Sequence, residues 1–169
     1  YSHIQSELSY RKSFKKELKL AVKNNLNKDL YAVLDFNSVW SLSGKRIEFV
    51  NLTESHYAFA RIFEKQTGKY IGGNGNLKSY PEDFILAADY VFAEERILYA
   101  VSQYLKPGIF GDFTLFRTDK NVKFDSYLYS YGVMLQAGSE TAELNIFYAL
   151  NPELSLLQGR VHLTLSYLF

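Results

Sequence analysis

The sequence predicts an all-β protein, an antiparallel transmembrane β-barrel, and three observations lead to this prediction. First, apolar side chains alternate with polar or small ones in about eight to ten segments, the pattern of strands with one apolar face. Second, no apolar run approaches the roughly 18 residues of a membrane helix, so a chain that crosses a bilayer does so as strands. Third, the last segment, 160–169, alternates up to an aromatic terminal residue, Phe169, which is typical of outer-membrane barrels.

The predicted strands follow one another along the whole chain, 1–169, which therefore forms one barrel unit. Turn-forming pairs such as Asn24-Asn25 and Gly138-Ser139 separate several of them. Most strands have the length of about 9–11 residues that a tilted membrane strand needs. The long interval at about 66–83 is predicted to be an extracellular loop. The strands cover residues 2–14, 16–26, 29–42, 45–52, 56–65, 83–94, 108–117, 126–137, 141–150 and 160–169.

Alternation also assigns each strand a lipid face and a lumen face. Even-numbered residues across 84–92 and odd-numbered residues across 127–135 and 161–169 are predicted to face lipid, because these positions carry the apolar side chains. A lumen of mixed charge favours a plugged or salt-bridged interior over a selective pore. The charged and polar residues predicted to line it are Lys19, Lys23, Asp35, Asp89, Asp112, Glu143 and His162.

Two segments have an alternative interpretation. Residues 17–34 carry apolar side chains at helical spacing, so an amphipathic helix is possible there. Strands are preferred because Leu18, Leu20 and Val22 alternate and Asn24-Asn25 interrupts the pattern. The last segment, 160–169, has the alternative of an ordinary strand in a soluble sandwich.

Composition and motifs predict no catalytic centre, metal site or cofactor. The net charge of +1 gives no field that would attract nucleic acid, and the chain has no cysteine for disulfides or thiolate metal sites. The stretch 72–76 has glycines but lacks the spacing and the Lys-Ser/Thr of a phosphate loop. Residues 94–96, Glu-Glu-Arg, are predicted to be a solvated strand end. The three histidines, His3, His56 and His162, are not at metal-ligand spacing.

The loop and the strands after it contain an ordered set of short motifs. They are Gly72-Gly73, Leu77-Lys78-Ser79-Tyr80, Asp89, Phe110-Gly111-Asp112, and the strands 142–150 and 161–169. This order resembles the sixth extracellular loop and the following strands of the BamA-like outer-membrane surface-antigen superfamily. That superfamily comprises insertases and translocases and also includes patatin-like phospholipases that carry a barrel.

The resemblance implies a loop that folds back into the lumen, where a loop arginine pairs with lumen carboxylates. Lys78 stands at the position of this arginine, and Ser79 stands where the family has glycine. A lysine offers one flexible point charge instead of a bidentate fork. We expect Lys78 to lie close to Asp89 or Asp112, with an exposed loop lysine as the alternative. In a wet lumen such a pair contributes only about 0–1 kcal/mol, so Lys78→Ala should loosen the loop without unfolding the barrel.

The resemblance also implies a barrel of about 16 strands, more than this chain supplies. Absent N-terminal strands or a second copy should therefore complete it, unless the chain closes on itself. The implied function is membrane protein assembly or polypeptide translocation in the bacterial outer membrane. The alternatives are the barrel anchor of a patatin-like phospholipase and a small self-closed structural barrel.

The last strand has a double role in this interpretation. It would form the seam at which the barrel opens, and it would be the signal through which the barrel assembly machinery recognises the chain. Outer-membrane lipid is the other expected partner. The residues of this assembly strand that alternate toward lipid are Val161, Leu163, Leu165, Tyr167 and Phe169.

Overall fold

An antiparallel sheet that curls into a half-barrel dominates the structure, and the all-β prediction is confirmed. The computed structural model describes residues 11–24, 30–59, 68–119, 124, 126–139 and 141–167, with the backbone alone for 11–24 and 30–32. The strands are β1 (Arg11–Asn24), β2 (Leu30–Ser43), β3 (Ile47–Phe59), β4 (Lys69–Ile71), β5 (Ile85–Ala87), β6 (Asp89–Tyr99), β7 (Leu105–Arg117), β8 (Ser126–Gly138), β9 (Ala142–Leu150) and β10 (Arg160–Tyr167). A turn of 3₁₀ helix, Leu156–Gln158, precedes β10.

The main sheet has eight strands in the order β1-β2-β3-β6-β7-β8-β9-β10, and β4 and β5 form a separate pair. The connections 44–46, 100–104 and 139–141 lie at one end of the sheet, and the longer connections β3–β6, β7–β8 and β9–β10 lie at the other. Among the described residues, β1 pairs only with β2 and β10 only with β9, so both edges of the sheet are open. In the part of the chain described, no helix is long and apolar enough to cross a membrane.

The N-terminal part of the sheet consists of two paired strands, not of the alternative helix. β1 and β2 pair from Arg11↔Ser43 to Asn24↔Leu30. The sequence predicts a break between two strands near residue 15. The structure has one continuous strand there, because β2 pairs with β1 along its whole length. Most of the predicted strand 2–14 lies outside the described residues.

The convex face of the half-barrel carries the apolar rows predicted for β8 and β10. Val133 is 55% exposed, and Leu163 in β10 is 63% exposed. The polar neighbours on the other side of the same strands, such as Ser130, point toward the concave face, where Ser130 is 2% exposed. The odd-numbered residues across 127–135 and across 161–167 therefore lie on the convex face, whereas Phe169 lies outside the described residues. That this face contacts lipid stays a prediction.

The predicted direction is wrong for 84–92. Tyr90 and Phe92 are fully buried on the concave face, where they pack with Ile71 and Leu77 of the β3–β6 connection. Alternation alone could not reveal this, because the connection covers the concave face here and makes it as apolar as a lipid-facing surface. The apolar row of a strand then no longer identifies the outer side.

Two predicted strand boundaries are also wrong. Segments 45–52 and 56–65 belong to one continuous strand as far as Phe59, since β2 and β6 pair with β3 without a break. Segment 83–94 is divided instead: β5 pairs with β4, and the chain enters the main sheet only at Asp89. The short pair β4-β5 thus belongs to the covering loop and not to the wall.

Two glycines on neighbouring strands give a matched test of this packing. A Cβ at Gly132 would lie 1.9 Å from the main-chain oxygen of Tyr148, whereas a Cβ at Gly111 would meet nothing nearer than the main-chain oxygen of Ser130, at 3.9 Å. We expect Gly132→Ala to lower the free energy of unfolding by about 1–3 kcal/mol, the usual cost of overpacking. Gly111→Ala should change it little. Urea unfolding in detergent, followed by the fluorescence of the single tryptophan, Trp40, measures both; equal effects would contradict the strand spacing at Gly132.

Candidate functional site: a loop packed on the concave face

Residues 68–88, here called the inner loop, turn back onto the concave face through unusual backbone conformations. Gly72 and Gly73 have φ of 119° and 85°, and Leu77 has φ of 51°. A side chain at Gly72 would collide with the main-chain oxygen of Pro81, 2.4 Å from the added Cβ. The Gly72 amide donates to Asn76 Oδ1 at 2.7 Å, which fixes the turn. The predicted loop glycines therefore form the tight turn on which the rest of the inner loop depends.

An apolar cluster holds the inner loop against the wall. Ile71 and Leu77 are fully buried with Tyr90 and Phe92 of β6, and Tyr80 is 8% exposed in the same cluster. Burial raises the pKa of the Tyr80 phenol above its ordinary value, and the nearby Glu153 carboxylate adds to the shift, so this phenol stays neutral near pH 7. The inner loop is thus bound by core-like packing and not only by charge.

Lys78 is the charged centre of the contact. Its Nζ contacts Glu94 Oε2, lies 3.7 Å from Asp112 Oδ1, and is in a side chain only 2% exposed. The Lys78 amide also donates to Asp112 Oδ2 at 3.0 Å, and Ser130 Oγ donates to the same oxygen at 2.8 Å. Glu94 and Asp112 are register neighbours on β6 and β7. The carboxylates of two adjacent strands therefore bind both the main-chain amide and the side-chain ammonium group of Lys78.

Arg96 and two aromatic rings complete this ion cluster. Arg96 Nε binds the other oxygen of Glu94, so two cations balance two carboxylates. The Lys78 Nζ lies 4.7 Å from the ring centre of Phe147 and 5.5 Å from that of Phe110. Cation–π attraction is stronger where water is excluded, and these rings exclude it. Lys78, Glu94 and Asp112 are thus almost completely buried, and Arg96, whose side chain is 20% exposed, makes the number of cations in the cluster equal to the number of carboxylates.

The far side of the inner loop is attached to β10, the edge strand. His162 Nε2 contacts the Lys78 main-chain oxygen, and Arg160 Nε donates to the Ser79 main-chain oxygen at 3.1 Å. Asn74 Nδ2 donates to Thr164 Oγ1 at 3.0 Å. The inner loop therefore crosses the concave face from β6 to the open edge.

Asp89 is not part of the ion cluster. It is fully buried, but its carboxylate accepts from the Ala58 amide at 2.8 Å and from Arg117 Nε at 2.5 Å. The structure thus brings Lys78 to Asp112 and leaves Asp89 in a separate pair with Arg117. Asp89 holds the start of β6 against β3 and β7.

Sequence reasoning missed Glu94. The prediction of a solvated strand end at 94–96 is wrong for Glu94, which is 1% exposed, although Glu95 is exposed. The error follows from the reversed face assignment of β6, which placed even-numbered residues outside. The pairing register of β6 with β7 would have identified Glu94, because it places the Glu94 carboxylate opposite that of Asp112. Two buried carboxylates this close require a cation between them.

Other predicted lumen residues are placed as follows. Asp35 Oδ1 bonds to His56 Nδ1 at 2.7 Å, and Glu143 accepts from Asn145 Nδ2 at 2.7 Å. The side chains of Lys19 and Lys23 lie outside the described residues. Within the residues described, no group of three or more His, Cys, Asp or Glu could hold a metal ion.

Comparisons with known proteins give no assignment: no protein-family model, no curated protein and no solved structure matches the chain.

Proposed function

We propose that this chain forms part of the wall of a bacterial outer-membrane β-barrel that assembles membrane proteins or translocates polypeptides. The observation that carries the proposal is the attachment of the inner loop to β10. Asn74 donates a hydrogen bond to β10, and the main-chain oxygens of Lys78 and Ser79 contact His162 and Arg160 of the same strand, whose outer edge is one of the two open edges of the sheet. The resemblance to the BamA-like superfamily adds to this proposal.

A membrane location is supported by the distribution of apolar surface. Large apolar side chains are exposed along the convex face, including Ile109 at 56% and Val161 at 63%. The concave face carries ion pairs and the inner loop. The three longest connections, β3–β6, β7–β8 and β9–β10, all lie at the same end of the sheet, which matches barrels with short periplasmic turns and longer extracellular loops.

An assembly role is supported by the two open edges. An unpaired edge in lipid leaves backbone groups unsatisfied and offers a template for another strand. Further strands or a second copy would complete the barrel, and the seam at β10 would accept a client strand by β-augmentation. In this mechanism the inner loop stabilises β10 from the concave side and separates from it when the seam opens.

Locking the inner loop to β10 tests the proposal. The side chains of Asn74 and Thr164 are hydrogen-bonded to each other, so cysteines in their places lie near each other, and a thiol-blocking gel shift verifies that oxidation joins them. Proteoliposomes with the wild-type full chain should speed the insertion of an unfolded eight-stranded outer-membrane barrel, read by its heat-dependent gel shift. The oxidised double-cysteine variant should lose most of this activity and recover it with reductant. Each single-cysteine variant should behave as wild type in both conditions.

Two outcomes would count against the proposal. Insertion that is no faster than in empty liposomes would remove the assembly function. Full activity of the oxidised, verified disulfide form would show that the inner loop and β10 need not separate.

The terminal aromatic residue gives a further prediction about assembly. We expect Phe169→Asp to reduce the amount of protein in the outer membrane several-fold. The alternation of the last segment predicts that Phe169 faces lipid, where charge opposes insertion, and this segment is proposed to be the assembly signal. Thr141→Asp, in an exposed turn, is the control. Fractionation and heat-modifiable gel migration measure both, and normal Phe169→Asp levels would refute the idea.

A further inference from the structure

A carboxylate interrupts the apolar convex face. Glu95 lies near the middle of β6 and is exposed. In the same outward row, Ala93 precedes it, and Ile97 and Tyr99 follow, the last two 41% and 45% exposed. An ionisable side chain within a lipid-facing row is costly unless it has a partner, and such residues mark functional sites.

Neighbouring side chains hold this carboxylate in one orientation. Asn51 Nδ2 donates to Glu95 Oε1 at 2.5 Å, and Thr53 Oγ1 donates to Asn51 Oδ1 at 3.1 Å. Asn51 itself is only 9% exposed, so the group is built into the wall. Within the described residues, no cation pairs with Glu95 and no hydrogen bond reaches its Oε2. Asn51 therefore fixes the position of Glu95 Oε1, and Oε2 is available to accept a hydrogen bond from another molecule.

The convex face has no side chain at Gly111, beside the carboxylate, and the open space there is here called the depression. Gly111 of β7 is the register neighbour of Glu95. The fold does not require a glycine there, since an added Cβ would meet only a main-chain oxygen at 3.9 Å. The outward residues on either side of Gly111 along β7, Ile109 and Phe113, carry large side chains that are 56% and 47% exposed. Space for a side chain from another molecule thus adjoins the available oxygen.

We infer that Glu95, Asn51 and Gly111 form a docking site for a membrane-embedded partner chain that presents a lysine or arginine. This inference rests on the proposed membrane location of the convex face. The negative charge of Glu95 favours a cationic side chain. This side chain would donate hydrogen bonds to Glu95 Oε2, and its methylene groups would occupy the depression at Gly111. A second copy of this chain, docked by the same patch, would bring like charges together. Lipid acyl chains would leave the carboxylate unpaired.

A pair of synthetic peptides tests the site. One is an apolar transmembrane helix with a central lysine and a dansyl label, and the other has norleucine at the same position. The full chain is reconstituted in phosphatidylcholine nanodiscs. Energy transfer from Trp40, the register neighbour of Asn51, reports binding. We expect the lysine peptide to bind about tenfold more tightly, the scale of a polar contact between membrane segments.

Three variants locate the binding. Glu95→Gln keeps the shape and removes the charge, and Gly111→Leu fills the depression; each should abolish the preference for the lysine peptide. Val133→Leu, elsewhere on the convex face, should preserve it. Equal affinity of the wild type for both peptides, or a preference that survives Glu95→Gln, would overturn the inference.

A control on lipid exposure separates this inference from the proposed function. Lipids with brominated acyl chains should quench Trp40 in peptide-free nanodiscs, because its position alternates to the convex face with Leu42. Quenching together with equal peptide affinities would overturn the docking site alone. Absence of quenching would contradict the membrane location itself.

Discussion

Lys78→Met should lower the free energy of unfolding by about 3–5 kcal/mol, the cost of removing one partner of a buried ion pair. The lysine is 2% exposed, and its loss would leave Glu94 and Asp112 with Arg96 as the remaining cation. The sequence-based expectation of about 0–1 kcal/mol assumed a wet lumen, and the burial of the ion cluster corrects it. Urea titration in detergent, followed by Trp40 fluorescence, measures the change.

A matched lysine and a variant cycle make this prediction specific. Lys69 pairs with Glu54, but its side chain is 44% exposed, so Lys69→Met should cost no more than about 1 kcal/mol. Glu94→Gln with Asp112→Asn removes both carboxylates, and adding Lys78→Met to this pair should cost much less than it does alone. Equal losses for Lys78→Met and Lys69→Met would show that the cluster is solvated.

Leu77→Ala should be the second large effect, a loss of about 2–5 kcal/mol, because it empties a fully buried position. Leu77 connects the glycine turn to Lys78, so the variant should also expose the inner loop. Faster proteolytic cleavage within residues 72–83 would accompany the lower stability. Leu157→Ala is the control, since Leu157 is 99% exposed and packs against nothing.

The same experiment decides between a packed loop and an ordinary surface loop. If Leu77→Ala left both the cleavage rate and the unfolding free energy unchanged, the inner loop would contribute nothing to the fold. The apolar contacts of Leu77 with Tyr90 and Phe92 would then not contribute to the free energy of unfolding.

Strict alternation with one polar face made β8 and β10 predictable from the sequence. In both strands the outward rows are apolar and the inward rows carry residues such as Ser130 and Thr164, so the two faces differ locally. In β6 both rows contain apolar side chains, because Tyr90 and Phe92 face the inner loop instead of solvent. The distinction between the faces depends there on a segment that is distant in the sequence.

The ion cluster shows the same limit. Asp112 was predictable as a partner of Lys78, but Glu94 became identifiable only from its register with β7. The contacts of the inner loop with β10 join residues 81 to 90 positions apart and have no local sequence signal. Gly72 and Gly73 were predicted only as glycines of a loop; the tight turn became evident from their backbone conformation, which glycine adopts more easily than other residues.

A nitroxide scan of β8 from Tyr127 to Leu135, in the reconstituted full chain, tests the membrane half-barrel most directly. Labels at odd-numbered positions should collide freely with oxygen and poorly with a water-soluble nickel complex, as lipid-facing sites do. Labels at even-numbered positions, which belong to the concave face, should be poorly accessible to oxygen. A period of two with this polarity is the predicted result; odd-numbered positions that are freely accessible to the nickel complex would contradict a lipid-facing convex surface.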